Sequence, residues 1–514
     1  MPYLFSLFLP FFLWATPFKV ATYNVENLFD ASYQGSEYEA YIPGKHNWNK
    51  RMVEIKLNHI AEVICDVDAA ILGLQEIENE AIFKRLIQRL DRVGCAYPYS
   101  AITHKKGAPI QVALLSRYPI QKQKEIVVSY AARVRNILEV VIQAQGKVFT
   151  VFVNHWKSKA YQGYESKRIK YAKALQSRIA SLSSSQEYII LGDFNSDYNA
   201  YLTLEKKLND THGKTAFSDV LQTKVEEHEI VHAKKGSHYT LWKELAVTKR
   251  WSHRFYGKKS SLDQIVLPAT MFDGQGIDYV NNSFHVFKVK YLFTKRGYIN
   301  RWRYKHAKHM AKGYSDHLPV FAYFDTKAYV KEPHQNIFHK IQTKLIEYLY
   351  SVNTLSHRIK LENVVVLLKR GNHAIVKQSP TGRGIFLYAC AAKLEEGKRY
   401  DLLIESIQKY HGLKEVTTAY VLKEKGAIPT QGYFISKEKL TKGMFAQNDI
   451  VKNIEGVYRD KMFSMGALTI PLYFKKKKNQ PSSGSKLKIH YAHLGYYKRL
   501  QLVLYGPKDF TVVE

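Results

Sequence analysis

Two patterns of hydrophobic and polar residues alternate along residues 18–326, and they distinguish strands from helices. Short apolar runs are typical of buried strands, whereas apolar residues recurring every three or four positions indicate amphipathic helices. The predicted strands are 18–23, 69–74, 111–116, 138–142, 148–153, 188–191, 262–267 and 318–324. Strands with interleaved helices and several direct hairpins predict a two-sheet α/β sandwich with a mixed sheet.

The helical pattern is clearest in three stretches between the predicted strands. Their apolar faces are formed by Val53, Leu57, Ile60 and Ile64, by Ile82, Leu86 and Leu90, and by Ala172, Leu175, Ile179 and Leu182, which follow Arg168. These spacings of three and four residues place each set on one side of a helix. The helices therefore cover the sheets.

The pattern changes beyond residue 330. Apolar residues at Ile337, Ile341, Leu345 and Leu349 predict a helix over 333–351 within a connector of residues 331–361. From about 362 onward, short β runs with Gly-marked turns predict a mainly β region. The segments "GKRYDLLIESIQKYHGLKEV" and "GSKLKIHYAHLGYYKRLQLVL" resemble each other, which indicates two small barrels, about 362–425 and 450–514. A single barrel, with a chance likeness between two hairpins, is the alternative.

Composition and charge narrow the class of protein. With 514 residues, 46% hydrophobic and 24% charged, the chain has room for two or three folded domains. The net charge is +32, and residues 331–514 alone carry 31 Lys and Arg against 15 Asp and Glu. This excess favours a polyanionic partner, such as nucleic acid or an anionic membrane. A generally Lys-rich proteome is the alternative explanation.

The first residues predict export. Residues 1–15 are apolar for about a dozen positions, which is too short to span a bilayer but typical of a secretory signal. We therefore predict a signal peptide over 1–17 and a periplasmic or extracellular monomer without stable membrane insertion. Because the usual basic start is missing, a misplaced initiation site or a buried strand are alternatives.

Three cysteines are too few for a disulfide scaffold or a cysteine-based metal site. Cys65 ends the first helical pattern and Cys95 follows the second. If both helices flank one sheet between parallel strands, their C-terminal ends lie together and a bridge is geometrically possible. Two free buried thiols are nevertheless the expectation, with Cys390 alone.

Polar residues punctuate the ends of the predicted strands, where ligand groups converge in layered α/β folds. The motifs are "ATYNVEN" with Asn24, "LGLQEIEN" with Glu76, "FVNHWKSK" with His155, Lys157 and Lys159, "LGDFNSD" with Asp193 and Asn195, "SLDQIVL" with Asp263, and "SDHLPV" with Asp316 and His317. Each residue alone is more often a turn or helix-capping residue. The prediction of a site depends on the ordered set.

The residue types suit one chemistry. Asn24, Glu76 and Asp316 are oxygen donors that suit Mg²⁺ held by few protein ligands. Asp263 and His317 form a carboxylate–imidazole pair that can take a proton from water. This combination predicts metal-assisted phosphodiester hydrolysis.

The ordered motifs resemble the endonuclease/exonuclease/phosphatase superfamily, with its DNase I-like four-layered α/β sandwich, over about residues 18–326. "NLFD", "SKRIKYAKALQSRI" and "SLDQIVLP" are similar to its bacterial secreted-nuclease branch. The resemblance implies a catalytic domain over 18–330 and a divalent cofactor, Mg²⁺ or alternatively Mn²⁺ or Ca²⁺. It implies the following roles: metal ligands Asn24, Glu76 and Asp316, phosphate contacts His155 and Asn195, a water-orienting Asp193, the general-base pair Asp263 and His317, and substrate contacts Lys157, Lys159 and Arg168.

Two positions depart from this pattern. Gln111 stands where relatives often carry an acidic residue, and we expect its amide to orient His155. Gln264 stands where similar proteins often have His. Both departures bear on the pH optimum without removing a core group.

The C-terminal repeats resemble OB-fold barrels that bind nucleic acid. Tyr410, Tyr496 and Tyr497 are interleaved with Lys409, Lys414, Lys498 and Arg499, a combination that suits base stacking over a basic groove. The alternative is that these tyrosines are barrel residues without a ligand.

The sequence therefore predicts a secreted, metal-dependent nuclease with DNA as its expected substrate. Two alternatives remain. One is a secreted phospholipid phosphodiesterase of the sphingomyelinase kind, for which no apolar membrane-contacting hairpin is evident. The other is a non-catalytic surface DNA-binding protein, which would not need a water-activating pair.

Overall fold

The computed structural model describes residues 16–255, 258–326, 341–355 and 358–513. The predicted signal peptide therefore lies outside the described residues, apart from its last two positions. The chain divides into two compact units, which meet in sequence near residue 336. Within the described residues, none of the helices is both long and apolar enough to cross a membrane.

The first unit contains seventeen strands and five α-helices among its described residues. The strands are β1 (Phe18–Leu28), β2 (Ile71–Ile77), β3 (Tyr99–Ile102), β4 (Gln111–Ser116), β5 (Ile120–Ile126), β6 (Ile137–Ala144), β7 (Lys147–His155), β8 (Tyr188–Asp193), β9 (Tyr239–Thr240), β10 (His253–Phe255), β11 (Lys258–Ser260), β12 (Asp263–Leu267), β13 (Asp278–Tyr279), β14 (His285–Val286), β15 (Tyr304–Lys305), β16 (Lys308–His309) and β17 (Val320–Asp325). The helices are α1 (Lys50–Val67), α2 (Glu80–Arg92), α3 (Glu165–Ala180), α4 (Ala200–Thr203) and α5 (Glu227–Ile230).

Two mixed sheets form the centre of this unit. Their strand orders are β13-β17-β1-β2-β4-β3, with β14 also on β17, and β5-β6-β7-β8-β12-β9. Apolar side chains of both sheets, among them Val20, Ile71, Val151 and Leu191, share one buried cluster. At Gly73 the sheets come so close that an added Cβ would lie 2.3 Å from Leu191 Cδ1. The centre is thus a sheet-on-sheet sandwich.

Helices cover both outer faces, which makes four layers. The apolar faces of α1 and α2 pack on the first sheet, and that of α3 packs on the second. Asn49 and Asn79 are the N-cap residues of α1 and α2, because their side chains accept hydrogen bonds from the backbone amides of Met52 and Ile82. The predicted α/β sandwich is confirmed.

Cys65 and Cys95 are bridged, with Cα atoms 5.7 Å apart. The expectation of two free thiols is therefore wrong. Strands β1 and β2 are parallel, and β2 and β3 run in the same direction because both pair antiparallel with β4, so α1 and α2 both run back across the same sheet. Their C-terminal ends lie side by side for that reason, and Cys390 is the free cysteine of the described residues.

The second unit is mainly β. Its strands are β18 (Gln342–Lys344), β19 (Ile359–Arg370), β20 (His373–Lys377), β21 (Gly384–Leu387), β22 (Lys398–Tyr410), β23 (Leu413–Ala427), β24 (Ile450–Arg459), β25 (Met462–Met465), β26 (Leu468–Phe474), β27 (Lys486–Tyr497), β28 (Arg499–Leu504) and β29 (Phe510–Val513). Two short helices are α6 (Ile346–Ser351) and α7 (Lys437–Thr441).

Both sheets of this unit close on themselves. The first runs β19-β20-β21-β23-β22 and returns to β19, and the second runs β24-β25-β26-β28-β27 and returns to β24. In each barrel, the third and fifth strands in chain order pair with each other in parallel; these pairs are β21–β23 and β26–β28. Each is a closed barrel of five strands in the same order, so the two similar sequence segments occupy equivalent hairpins.

Of the described part of the helix predicted over 333–351, only Ile346–Ser351 is confirmed as helix, and the prediction is wrong for residues 341–345. Residues 342–344 form β18, parallel to β19, and the helix α6 is confined to Ile346–Ser351. Leu345 is 63% exposed and Ile341 44% exposed, because only α6 turns an apolar face to the first barrel. The part of the prediction over 333–340 lies outside the described residues.

Candidate active site

The ends of four strands and the start of a fifth meet at one edge of the sandwich. His155 and Asp193 end the parallel strands β7 and β8 as direct register partners. Asp263 begins β12, which is antiparallel to β8, and pairs with Asp193. On the other sheet, Asn24 lies where the regular parallel pairing of β1 with β2 is interrupted, and Glu76 is the second-last residue of β2. Opposite strand directions therefore bring residues distant in sequence to one edge.

His317 and Asp263 form a close pair. His317 Nδ1 lies 2.9 Å from Asp263 Oδ2, and the Ser252 hydroxyl donates to the same carboxylate oxygen. Both side chains are buried. Burial acts to lower the pKa of His317, but the charges of Asp263 and Asp193 outweigh it and hold that pKa well above its usual value. The pair has the geometry of an oriented base.

Asp193 lies opposite the free side of that imidazole. His317 Nε2 is 3.9 Å from Asp193 Oδ2, which is too long for a direct hydrogen bond. The Asn24 amide donates to Asp193 Oδ2 at 3.0 Å, and the Asn195 backbone N–H donates to Oδ1 at 2.8 Å. Burial and the charge of Asp263 raise the pKa of Asp193. The Asn195 side-chain amide also donates to Oδ2, at 3.3 Å, so the carboxylate is fixed by three donors.

His155 lies beside both Glu76 and Asp193. Its Nε2 lies 3.7 Å from Glu76 Oε1 and 3.6 Å from Asp193 Oδ2. The buried Arg135 donates to the His155 carbonyl at 3.0 Å. Burial, together with the charges of Arg135 and His317, lowers the pKa of His155 well below its usual value, so this imidazole is neutral at pH 7.

Neither glutamine acts on the imidazoles. Gln111 accepts from the Thr103 hydroxyl at 2.8 Å and donates to the Lys105 carbonyl at 3.1 Å. It closes the loop before β4, and the expectation that it orients His155 is wrong. His155 Nδ1 has no hydrogen-bond partner among the described residues. Gln264 is buried and donates to the Ser196 carbonyl at 3.0 Å, so it supports the loop after β8.

Asn24 presents its nitrogen, not its oxygen, to the carboxylates. Its Nδ2 donates to Glu76 Oε1 at 3.1 Å, while its Oδ1 accepts from the Glu26 backbone N–H at 3.0 Å. In this arrangement Asn24 links Glu76 to Asp193 instead of supplying an oxygen ligand. Its predicted metal contact stays a prediction.

Glu76 and Asp316 form the acidic side of the site. Burial and the nearby charge of Asp316 raise the pKa of Glu76. Burial also acts to raise the pKa of Asp316, but the bond with His253 and the charges of His317 and Arg301 lower it well below its usual value. Two repelling carboxylates in a partly enclosed position are the donor set that a hard divalent cation would stabilise.

The backbone is left-handed at three residues of the site, which non-glycine residues rarely adopt. The φ angles are 53° at Glu26, 71° at Glu76 and 48° at Asn195. Such conformations cost of order 1–3 kcal/mol each and cluster at functional sites. Here they aim side chains at the common edge instead of continuing the strand alternation.

Three residues of the site escaped the sequence analysis. Arg301 Nε donates to Glu26 Oε1 at 3.0 Å, and its Nη2 lies 3.4 Å from Asp316 Oδ2. The His253 ring lies 4.7 Å from that of His317. Glu26 stood within the motif "ATYNVEN", whereas Arg301 lies in an irregular segment and His253 begins the three-residue strand β10, which is too short to give a periodic signal.

The predicted substrate contacts differ in exposure. Lys157 is half-buried beside the site, and Lys159 Nζ pairs with Asp197 Oδ2 at 3.0 Å. Arg168 is buried, bonds Glu165 through two of its nitrogens, and donates to the Lys157 and Gly163 carbonyls. Its guanidinium therefore holds the loop that carries Lys157, and it does not face a substrate as expected.

The predicted aromatic residues lie on two hairpin tips of the second unit. Tyr410 is 60% exposed and Tyr497 50% exposed, with the His411 ring between them, 4.4 Å and 5.0 Å from their centroids. Tyr496 instead lies over Gly412, where an added Cβ would be 2.3 Å from its ring.

The basic residues of these tips divide in the same way. Lys409, Lys498 and Arg499 are exposed. Lys414 is buried and donates to the Val352 carbonyl. Its predicted place in a basic groove is therefore wrong.

The four-layered sandwich and its edge site define a protein of the DNase I-like fold class. The sequence model of the Endonuclease/Exonuclease/phosphatase family matches residues 19–326, and the chain belongs to this family. Its members are hydrolases that act on phosphodiester bonds and typically use a divalent metal ion.

The chain is similar to several solved structures, each over about 60% of its length. Humanized D. rerio TDP2 shares 12% identity, with 98% of that chain covered and a TM-score of 0.37. The human Nocturnin catalytic domain with bound sulfate shares 14%, with 94% covered and a TM-score of 0.35. SmcL shares 18%, with 98% covered and a TM-score of 0.38. No curated protein matches the chain in sequence.

Proposed function

We propose that this protein is an exported, divalent-metal-dependent nuclease that hydrolyses phosphodiester bonds, with DNA as its main substrate. One observation carries the hydrolytic part. The Asp263–His317 pair, 2.9 Å apart, opens toward a second carboxylate, Asp193, that is too far for a direct bond to the imidazole. A binding protein has no need of a base oriented in this way.

Each residue of the site has its own role in the proposed hydrolysis. His317 Nε2 takes a proton from the attacking water, while Asp263 fixes the ring through Nδ1 and stabilises the imidazolium that forms. Asp193 orients that water. His155 is neutral and donates a hydrogen bond to a non-bridging phosphate oxygen, and Asn195 contributes its amide to the same group.

Glu76 and Asp316 would hold the divalent ion. The fit rests on their oxygen donors and on the raised pKa of Glu76, which comes from burial and from the nearby charge of Asp316. When bound, such an ion polarises the phosphate and neutralises developing charge. Mg²⁺ suits a set with few protein ligands, and Mn²⁺ or Ca²⁺ would bind the same oxygens.

Nucleic acid is favoured as substrate by charge and by the second unit. The net charge is +32, which attracts a polyanion through distributed phosphate contacts. Each barrel closes five strands in one and the same order, and this supports our proposal that they are OB folds. Tyr410 and Tyr497 are exposed beside Lys409 and Lys498, and aromatic rings of this kind stack on unpaired bases.

Export is supported by the apolar residues 1–15 and by the Cys65–Cys95 bridge. Disulfides persist in oxidising compartments and are rare in reducing ones. A periplasmic or extracellular location fits both features.

A phospholipid phosphodiesterase is the second candidate, and one observation favours it. Phe255, at the end of β10, is 54% exposed. Strands β10 and β11 pair as a hairpin, and His253 at its start lies against His317. Tyr298 is 51% exposed, with the Arg254 guanidinium over its ring. An aromatic hairpin beside a phosphodiesterase site could contact a lipid surface.

The test compares substrates on the purified full chain. Single- and double-stranded DNA, RNA, and vesicles containing sphingomyelin are each incubated with Mg²⁺, with and without EDTA. We expect EDTA-sensitive cleavage of DNA that is lost in His317→Ala. Cleavage of lipid but not of nucleic acid would replace the proposal by the second candidate, and binding of DNA without cleavage would reduce the protein to a binding factor.

A further inference from the structure

His253 and His317 are placed together by the backbone. The two residues form an isolated antiparallel bridge, and the Leu318 N–H donates to the Ser252 carbonyl at 2.8 Å. Directly opposed residues of an antiparallel pair project to the same side. Their rings consequently lie 4.7 Å apart, inclined by 42°.

Both imidazoles point toward Asp316. His253 Nε2 lies 3.8 Å from Asp316 Oδ2, and His317 Nε2 lies 3.9 Å from Asp316 Oδ1. One atom from each of the three side chains lies within 4.8 Å of the other two. Tetrahedral zinc with bonds of about 2.0–2.1 Å places its ligand atoms about 3.4 Å apart, so the three side chains would draw together by up to about 1.4 Å to bind one ion.

The surroundings of the set are those of a metal ligand shell. Asp263 bonds His317 Nδ1 and so leaves Nε2 as the free nitrogen, which is the orientation that carboxylate–histidine–metal sites use. His253 is 13% exposed in its side chain, and its Nδ1 has no hydrogen-bond partner among the described residues. Arg301 Nη2 lies near Asp316 Oδ2, and Arg301 Nε donates to Glu26. The other oxygen, Asp316 Oδ1, is the one that lies near His317 Nε2.

We propose that His253, Asp316 and His317 form a second, nitrogen-rich site that binds Zn²⁺ and thereby switches off hydrolysis. Two imidazoles and one carboxylate select zinc-like ions over Mg²⁺, which prefers oxygen donors. Zinc on His317 Nε2 occupies the lone pair that accepts the proton from water. The regulatory part of this inference rests on the proposed function, whereas the binding part does not.

The experiment measures binding and inhibition separately on the full chain. Co²⁺ serves as a spectroscopic probe of tetrahedral nitrogen and oxygen ligation, and Zn²⁺ is titrated calorimetrically with Mg²⁺ in large excess. His253→Gln removes one ligand and leaves the catalytic groups in place. His104→Gln is the matched control, because His104 lies on the surface between the carboxylates of Glu80 and Glu125.

We expect wild-type protein and His104→Gln to bind one Zn²⁺ and to give the intense visible bands of tetrahedral Co²⁺. His253→Gln should bind Zn²⁺ at least about tenfold more weakly and, with each protein compared to its own rate without Zn²⁺, need a correspondingly higher Zn²⁺ concentration for half-maximal inhibition. Equal Zn²⁺ affinity in His253→Gln and wild type would overturn the site. Inactivity with Mg²⁺ alone would instead count against the proposed function, since the Zn²⁺ and Co²⁺ readings need no turnover.

Discussion

The edge site of the first unit and the hairpin tips of the second handle charge in opposite ways. In the first unit, Asp193, Asp263 and His317 are buried, and each lies within reach of another ionisable group. On the hairpin tips, Lys409, Lys498 and Arg499 are exposed to solvent. Buried charges shift one another's pKa values and can move protons, whereas exposed charges are screened and attract a polyanion reversibly.

The same contrast holds for two buried histidines. His317 faces carboxylates that raise its pKa. His493, in the second barrel, lies 3.0 Å from the Asn448 amide oxygen and 2.8 Å from the Tyr505 hydroxyl, and burial lowers its pKa to about 3. Equal burial therefore accompanies a raised pKa at the proposed base in one unit and a lowered pKa at a structural residue in the other. The neighbours decide which.

The largest expected effect separates these two histidines. His317→Ala should lower hydrolysis by about 10²–10⁴-fold with folding intact, because it removes a positioned base. His493→Gln should leave the turnover of short substrates unchanged and affect only stability. Single-turnover cleavage and thermal unfolding of both variants measure this. A loss of less than tenfold in His317→Ala would mean that another group takes the proton.

Asp263→Asn sharpens the role of the neighbouring charges. It should lower activity by about 10²-fold, and it should also move the acid limb of the pH–rate profile to lower pH. The sign follows from the direction of the shift, since the Asp263 charge raises the pKa of His317. Without that charge the imidazole becomes neutral at lower pH. An unmoved acid limb would assign it to a different residue.

The bridge between α1 and α2 gives the first unit a covalent constraint. Cys65→Ser should lower the free energy of unfolding of that unit by about 3 kcal/mol, because a loop of 30 residues is released in the unfolded chain. Cys390→Ser in the second unit is the control, and its effect should be smaller. Denaturant unfolding under non-reducing conditions compares them. Equal losses would contradict a structural role for the bridge.

Glu76→Gln tests the acidic side of the site. Removing one charge from a set with few ligands should raise the Mg²⁺ concentration for half-maximal activity about tenfold. The measurement is a Mg²⁺ titration at saturating substrate. Glu78→Gln, a buried acid on the same loop that bonds the Asp30 amide, is the control. An unchanged midpoint in Glu76→Gln would move the metal elsewhere.

The smallest effect concerns the hairpin tips. Joint replacement of Tyr410 and Tyr497 by Ala should weaken binding of long single-stranded DNA about tenfold, from lost base stacking. Short substrates that reach only the edge site should be cleaved as before. Tyr473→Ala is the control, because this tyrosine is 48% exposed on β26. Equal losses on long and short DNA would withdraw the nucleic-acid role of the tips.

The sequence by itself determined the layers and most of the residues that meet at the edge site. Apolar runs ending in "LGD" and "VNH" marked strands whose last residues lie at that edge, and the order of motifs identified the family. Local periodicity suffices for this, since burial of one face dictates the spacing of apolar residues. It did not suffice for 333–351, where Leu345 and Ile341 repeat like a helix but are exposed.

Only the tertiary structure decided how the groups face one another. It bridged Cys65 and Cys95, turned the Asn24 nitrogen toward the carboxylates and buried Arg168. It also brought His253, at the start of β10, against His317 through an isolated backbone bridge. These outcomes depend on long-range pairing, in which strand direction and register fix partners far apart in the chain. No local pattern of residues encodes those partners, because each side chain's neighbours come from other strands.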